Sequence, residues 1–383
     1  MYRKIIAMLF LCAFIALIAV PLVPSGPAYA AEGPLEKAIA AAPKGTETGQ
    51  IDPNAPAGYL GIPGGKQINL AVAFIWAVWV GWVFSTVGAF GGIMAGVGHI
   101  SVFGLGDYAK TFKDSAPALN KVVTDSIRVS NQWLVGLSAL VSSVNYAKQK
   151  RLVIALGTVL GLGSLLAAFL VAYTTMGKIK FSQYQGYFGL IVFIIGGFMV
   201  YEMTPRGQAK KKAAKEAVKA FENTIKQRGD ITTMGVTTQK FNLARTEISF
   251  FGQTFGFSPI WAFVGGFFIS AISSFIGVGG GFLYVPFLTS VVGLPMFVAA
   301  GTSALAVLIS MILSIFNFMI KGVTVYWAMI GVELIGIFVG SMIGPRTGKY
   351  IPEKALKYFF IALAVYVGLD YSLRGFFGIR MIG

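Results

Sequence analysis

Small neutral hydrogen-bond donors stand inside sequence that is otherwise apolar enough for lipid: Ser85, Ser130, Asn131, Asn145, Ser274, Thr302, Ser303 and Asn317. Glycine clusters follow two of them, Gly88, Gly91 and Gly92 after Ser85, and Gly277, Gly279, Gly280 and Gly281 after Ser274. A hydrocarbon core holds no water to satisfy bare N–H and C=O groups, so a helix break there survives only where protein buries it or where it lines a cavity. Free N–H groups at such a break, at the positive end of a half-helix, bind negative oxygens without a full positive charge. Distributed donors of this kind hold an anion weakly enough to release it, as transport requires. The same hydroxyls and amides serve equally well as hydrogen bonds between helices, and the sequence leaves both roles open.

Among the ionisable residues, Arg128 lies beside Ser130 and Asn131 near the outer end of its segment, where it either attracts an anion or snorkels to the interface. Glu333 falls in the middle of an apolar segment, and an acid inside a span is a functional candidate by default, here the carrier of a coupling proton. With a single Cys and a single His, the chain has no thiol–imidazole pair and no zinc set, and no acids are paired by spacing. No catalytic residue, metal or cofactor is therefore expected, and the chain reads as something other than an enzyme. A net charge of +16 would point to nucleic acid in a soluble domain. Here Lys and Arg sit between apolar segments, where they report topology instead, so no nucleic-acid partner is expected.

The elements that must position these groups are membrane helices. Of 383 residues, 56% are hydrophobic and only 12% charged, with 48 glycines; mean hydropathy is +0.73. That composition belongs to an all-α polytopic membrane protein. Residues 1–30 carry Arg3 and Lys4, an apolar run and Ala28-Tyr29-Ala30, the layout of a signal peptide, with an anchor helix as the alternative. Residues 31–67, punctuated by Pro34, Pro43, Pro53, Pro56 and Pro63, read as a flexible extracytoplasmic segment with little to build a core. Residues 68–203 form a first transmembrane repeat and 256–383 a second. Between them, residues 204–255 form a basic cytoplasmic loop, in which Val218, Phe221 and Ile225 recur at helical spacing among lysines. The loop is either a basic amphipathic helix lying on anionic lipid or a solvated linker.

Internal symmetry organises the rest. One constant offset lays Ser85, Gly88, Gly91 and Gly92 on Ser274, Gly277, Gly280 and Gly281. A second offset lays Ser130 on Thr302, Asn131 on Ser303, Ser142 on Ser314, Asn145 on Asn317 and Gly196 on Gly368. The change of offset marks an insertion between Gly92 and Ile127 that carries His99, read as an outer loop without chemistry. If each glycine-broken run returns to its own side, all the basic loops fall in the cytoplasm. The predicted fold is thus two inverted-topology repeats, each a glycine-broken helical hairpin plus three transmembrane helices, with one anion site where the two breaks meet. Gly157 and Gly161, and Gly336, Gly340 and Gly344, stand four apart and are assigned to close helix packing.

Gly277-Val278-Gly279-Gly280-Gly281-Phe282-Leu283-Tyr284-Val285-Pro286, then Gly293-Leu294-Pro295 and Ala299-Ala300-Gly301-Thr302-Ser303-Ala304, resemble the TauE/SafE group of membrane transporters. In the first half the likeness is diluted: Phe90 interrupts the glycine run and Val129-Ser130-Asn131 stands for Gly-Thr-Ser. The resemblance implies a multi-pass transporter of the cell (inner) membrane, exporting sulfite or an organosulfonate by alternating access. Its partners would be the lipid bilayer, the small anion and a coupling proton or ion. Other small anions such as thiosulfate, sulfate or a carboxylate, and a non-transporting membrane subunit, remain open alternatives, as does the oligomeric state.

Overall fold

The structure is a computed structural model that describes residues 33–87, 91–175, 178–209, 212–227, 230, 232, 234–276, 281–379 and 381. The leader expected over residues 1–30 lies outside them.

Long apolar runs become helices because an α-helix closes its backbone hydrogen bonds within the segment. After α1 (Pro34–Ala41), the first half consists of α2 (Leu70–Val87), α3 (Gly91–Val97), α4 (Leu105–Thr111), α5 (Pro117–Lys148), α6 (Ile154–Thr175) and α7 (Phe181–Met203). The second half repeats the order with α10 (Pro259–Ile276), α11 (Gly281–Pro286), α12 (Met296–Ile320), α13 (Trp327–Thr347) and α14 (Glu353–Ser372). Both α3 and α11 run on into a π-turn, over Gly98–Val102 and Phe287–Val291. Ile154–Thr175, Phe181–Tyr201, Met296–Ile320 and Trp327–Tyr350 are each long and apolar enough to cross a membrane.

Each broken run folds back on itself. Gly91 lies against Val80 and Phe84, and Gly98 against Trp76, whose Nε1 donates to the Met94 carbonyl at 2.9 Å. In the second half, Phe287 packs on Gly265, and the Tyr284 hydroxyl donates to the Gly266 carbonyl at 3.4 Å. The halves interlock rather than sit side by side. Hairpin arm α2 packs on α13 and arm α10 on α6, while α5 packs on α12 and α7 on α14. Gly336 and Gly340 face the α2 backbone, and Gly157 and Gly161 face α12, as their spacing predicts.

Two expectations change. Residues 33–66 are not a segment without a core: Leu35, Ala38, Ile51, Tyr59 and Ile62 are buried. They form a strap over the N-terminal end of α5, tied by Ser115 Oγ donating to the Gly49 carbonyl at 2.7 Å and the Tyr59 N–H to the Lys66 carbonyl at 2.9 Å. Scattered among prolines, these apolar residues show no period, because each packs singly on a neighbouring helix.

The region over residues 204–255 is folded as well, so all-α does not hold there. It carries α8 (Pro205–Ala209), α9 (Lys212–Lys226) and an antiparallel sheet of β1 (Thr237–Lys240), β2 (Thr246–Phe250) and β3 (Gln253–Phe257), in sequential order. Phe251 and Gly252, both at positive φ, make the two-residue turn between β2 and β3. Phe221 of α9 is fully buried against Phe250, Phe251 and Phe297, so protein covers the apolar face assigned to lipid.

Candidate functional site

Helix α5 is 32 residues long and carries polar side chains through the bundle. Arg128 on it does not snorkel; it is fully buried. Its Nη1 donates to Asp125 Oδ1 at 2.8 Å, one turn back on the same face. Its Nη2 donates to Thr175 Oγ1 at 3.1 Å and to the Ser274 carbonyl at 3.2 Å. That carbonyl belongs to the last turn of α10, so Arg128 takes up a carbonyl at the end of the helix that leads into the second glycine cluster. Ser274 Oγ is 3.5 Å from Ser270 Oγ, itself 3.3 Å from Ser310 Oγ.

The same face of α5 holds a residue that sequence reasoning missed. Arg128 lies over the Phe318 ring, and Gly136 faces Met311 and Ile315, so α5 and α12 run antiparallel with Gln132 level with Ser314. The Gln132 amide, the Ser314 hydroxyl and Asn317 Nδ2 are buried without hydrogen-bond partners among the described residues. Unsatisfied buried donors are costly. Together with the Arg128–Asp125 ion pair they form a strip of buried polar groups with spare neutral donors, able to hydrogen-bond an oxyanion. Only its place four residues after Arg128 could have marked Gln132.

Asn131 turns to a second group. Its Nδ2 donates to the Tyr184 hydroxyl at 3.4 Å, and its Oδ1 accepts from His99 Nδ1. His99 Nε2 in turn stands 3.1 Å from Glu333 Oε2, with both side chains fully buried. His99 is therefore no part of an outer loop: the insertion folds α3 and its π-turn back into the core. Ser130, next to Asn131, is buried facing Tyr59 of the strap, whose hydroxyl is 3.0 Å from Ser126 Oγ.

The remaining predicted residues gather at the other end of α5. The Tyr146 hydroxyl donates to the Ser85 carbonyl at 2.6 Å and the Thr86 carbonyl at 3.2 Å, capping the helix that leads into the first glycine cluster. Ser85 Oγ returns to the Gly81 carbonyl at 2.7 Å, and Asn145 Nδ2 reaches the Ser341 carbonyl at 3.4 Å. Thr302 Oγ1 accepts the Val153 N–H at 3.1 Å, while Ser303 Oγ donates to the Ala300 carbonyl at 2.9 Å. Burial pushes the Arg151 guanidinium below its ordinary value; it sits among the rings of Tyr146, Phe221 and Phe297 at 4.7, 5.3 and 5.1 Å from their centroids.

The residues before the two breaks thus do not meet. Arg128 and Tyr146 reach them from points separated by unbroken helix, about 27 Å at a rise of 1.5 Å per residue. The short helices that follow the two breaks, α3 and α11, nevertheless pack against each other, while the glycines of the breaks between the helices lie outside the described residues. Gly91 and Gly92 are buried in the first hairpin and Gly281 opens α11, whereas Gly88, Gly277, Gly279 and Gly280 lie outside the described residues.

Above Arg128, a cavity of about 610 Å³ is lined by Pro34, Lys37, Lys121, Asp125 and Lys321. A family model described as sulfite exporter TauE/SafE matches residues 73–371. Neither the curated proteins nor the solved structures give a match. The match begins beyond the strap.

Proposed function

The chain belongs to the sulfite exporter TauE/SafE family of membrane transporters, and from that premise we propose that it carries a small sulfur oxyanion such as sulfite or an organosulfonate. Arg128 carries the reading: a fully buried guanidinium below a lysine-lined cavity and beside a strip of unpaired donors. Lys37, Lys121 and Lys321 concentrate anions at the mouth, since a cleft of one sign focuses the field of its charges. The anion then competes with Asp125 for Arg128 and takes its remaining hydrogen bonds from Gln132, Ser314 and Ser274. Competition keeps binding weak enough for release.

In this reading the two halves are inverted repeats in the cell (inner) membrane. The strap and the cavity face outward, and the basic folded unit over residues 204–255 faces the cytoplasm. The reciprocal pairing of α2 with α13 and α10 with α6 supports two related halves, and the basic excess supports the orientation. Alternating access follows by rocking of the halves around α5 and α12. Outward movement of the anion, the direction in the family's description, is favoured by an interior-negative potential, worth about 2.3 kcal/mol per charge per 100 mV.

The test is flux of sulfite and sulfoacetate in proteoliposomes. Wild type shows saturable flux. The paired substitution Asp125→Asn with Arg128→Gln keeps the cluster uncharged in sum and lowers flux at least about tenfold. Saturable flux unchanged by that pair removes Arg128 from the site, and no flux of either anion returns the cargo to an open screen.

A further inference from the structure

The pair formed by His99 and Glu333 has a proton budget that its geometry fixes. Asn131 Oδ1 can only accept, and Asn131 Nδ2 is turned to the Tyr184 hydroxyl, so His99 Nδ1 carries its hydrogen. That leaves Nε2 facing Glu333 Oε2 at 3.1 Å. Both are acceptors, and two lone pairs do not hold that distance unless one proton lies between them. The proton sits on the imidazole or on the carboxyl, and either way the pair has no net charge. Removing it leaves a lone carboxylate where both side chains are 0% exposed.

Glu333 Oε1 is buried and has no hydrogen-bond partner among the described residues. The Phe103 ring lies edge-on against the imidazole. Among the described residues, Tyr59 from the strap acts on Glu333, Tyr184 from α7 reaches the pair through Asn131, and Arg128 and Asp125 lie on the same helix as Asn131. A fixed structural ion pair has its remaining lone pairs satisfied; this one does not. Three elements meet here: the returning arm of the first hairpin, α13 of the second half, and α5, on which Asn131 is three residues from Arg128 and so adjacent on the helix surface.

We propose that His99 and Glu333 share one exchangeable proton, and that this proton crosses the membrane together with the anion. The proposal rests on the anion-transport reading. One proton is taken from water onto Nε2 or Oε2 on one side and returned to water on the other; no bond to the anion forms. A proton on the pair removes the lone carboxylate that would repel an anion at Arg128, and like charges repel strongly where the dielectric is low. Proton and anion therefore move in the same direction; a singly charged anion then crosses with no net charge and is driven by the pH gradient, and only a doubly charged one also responds to the membrane potential.

Two measurements separate this inference from the reading beneath it. Exchange of sulfite and sulfoacetate across proteoliposomes at equal pH tests transport alone. Accumulation under a one-unit pH gradient, acid outside and potential clamped at zero, tests the proton. Wild type should accumulate the anion about tenfold, the concentration ratio equivalent to that gradient. Glu333→Gln and His99→Gln should each exchange within about twofold of wild type and accumulate nothing. Gradient-driven accumulation that survives in Glu333→Gln overturns the proposal while leaving transport intact.

A readout without any anion covers the case where those variants exchange poorly. His99 is the one histidine of the sequence, so nitrogen-15 histidine labelling reports this ring alone. The ring should change protonation within the pH range over which the protein stays folded, and Glu333→Asp, which draws the carboxylate back, should move that change to lower pH. A ring that does not change over that range holds a fixed proton and overturns the inference.

Discussion

Arg128 and Arg151 are both buried guanidinium groups held by different chemistry, and that difference decides what substitution does. Arg128 donates in several directions at once, to a carboxylate, a hydroxyl and a helix carbonyl. Lysine keeps the charge but not the planar fork. Arg128→Lys should fold and raise the KM for sulfite flux at least about tenfold, roughly 1.4 kcal/mol, with a smaller effect on the maximal rate. Equal KM values would mean that charge alone suffices. Arg128 was legible as a candidate from its position beside Ser130 and Asn131, but its burial was not. An arginine near a helix end reads as interfacial until the partner helix is known. His99 shows the limit more sharply, since its partners, Asn131 and Glu333, stand far away in sequence and no spacing rule connects them.

Among the elements, the helix pairs are set by glycine, and this was legible. A Cβ at Gly340 would lie 2.0 Å from the Val78 carbonyl oxygen, which is backbone and has nowhere to move. Gly340→Leu should therefore separate α2 from α13, lowering stability by about 1–3 kcal/mol or more, read as a fall in the detergent-solubilised melting temperature. Gly331, with open space around it, is the control: Gly331→Ala should melt like wild type. Helix α9 behaves differently because its contacts are aromatic. Phe221→Ala removes a fully buried ring shared by Arg151, Phe250, Phe251 and Phe297, at a cost of about 3–5 kcal/mol. Limited proteolysis should then cut residues 205–257 faster, while the KM for sulfite stays unchanged.

Across the whole molecule, the strap closes the end of the bundle where Arg128 and the cavity lie. Tyr59 is its deepest point, fully buried between Ser126 and the Tyr326 ring. With Cys12 replaced, Ser130→Cys should resist a membrane-impermeant thiol reagent, and adding Tyr59→Ala should raise its labelling at least about tenfold. Equal labelling with and without the tyrosine would show that the strap does not shield Ser130. Burial pushes the Tyr59 phenol above its ordinary value near pH 10. A raised folded value contributes stability that is intact below the unfolded value and lost as pH rises past it. Shielding of Ser130→Cys should accordingly hold at neutral pH and weaken only above about pH 10.

By itself the sequence determined what depends on local composition and period. Apolar length predicted the helices, and glycine spacing predicted the close contacts of α2 with α13 and of α6 with α12. These follow from one solvent condition, that backbone polar groups in hydrocarbon must be satisfied within their own segment. The tertiary structure decided which end of α5 the helix before each break reaches, that Gln132 lies level with Ser314, and that His99 meets Glu333. It also decided that residues 33–66 and 204–255 are packed, with a small sheet where a loop was expected. Contacts between distant segments obey no period, and only the packing of the two halves brings them together.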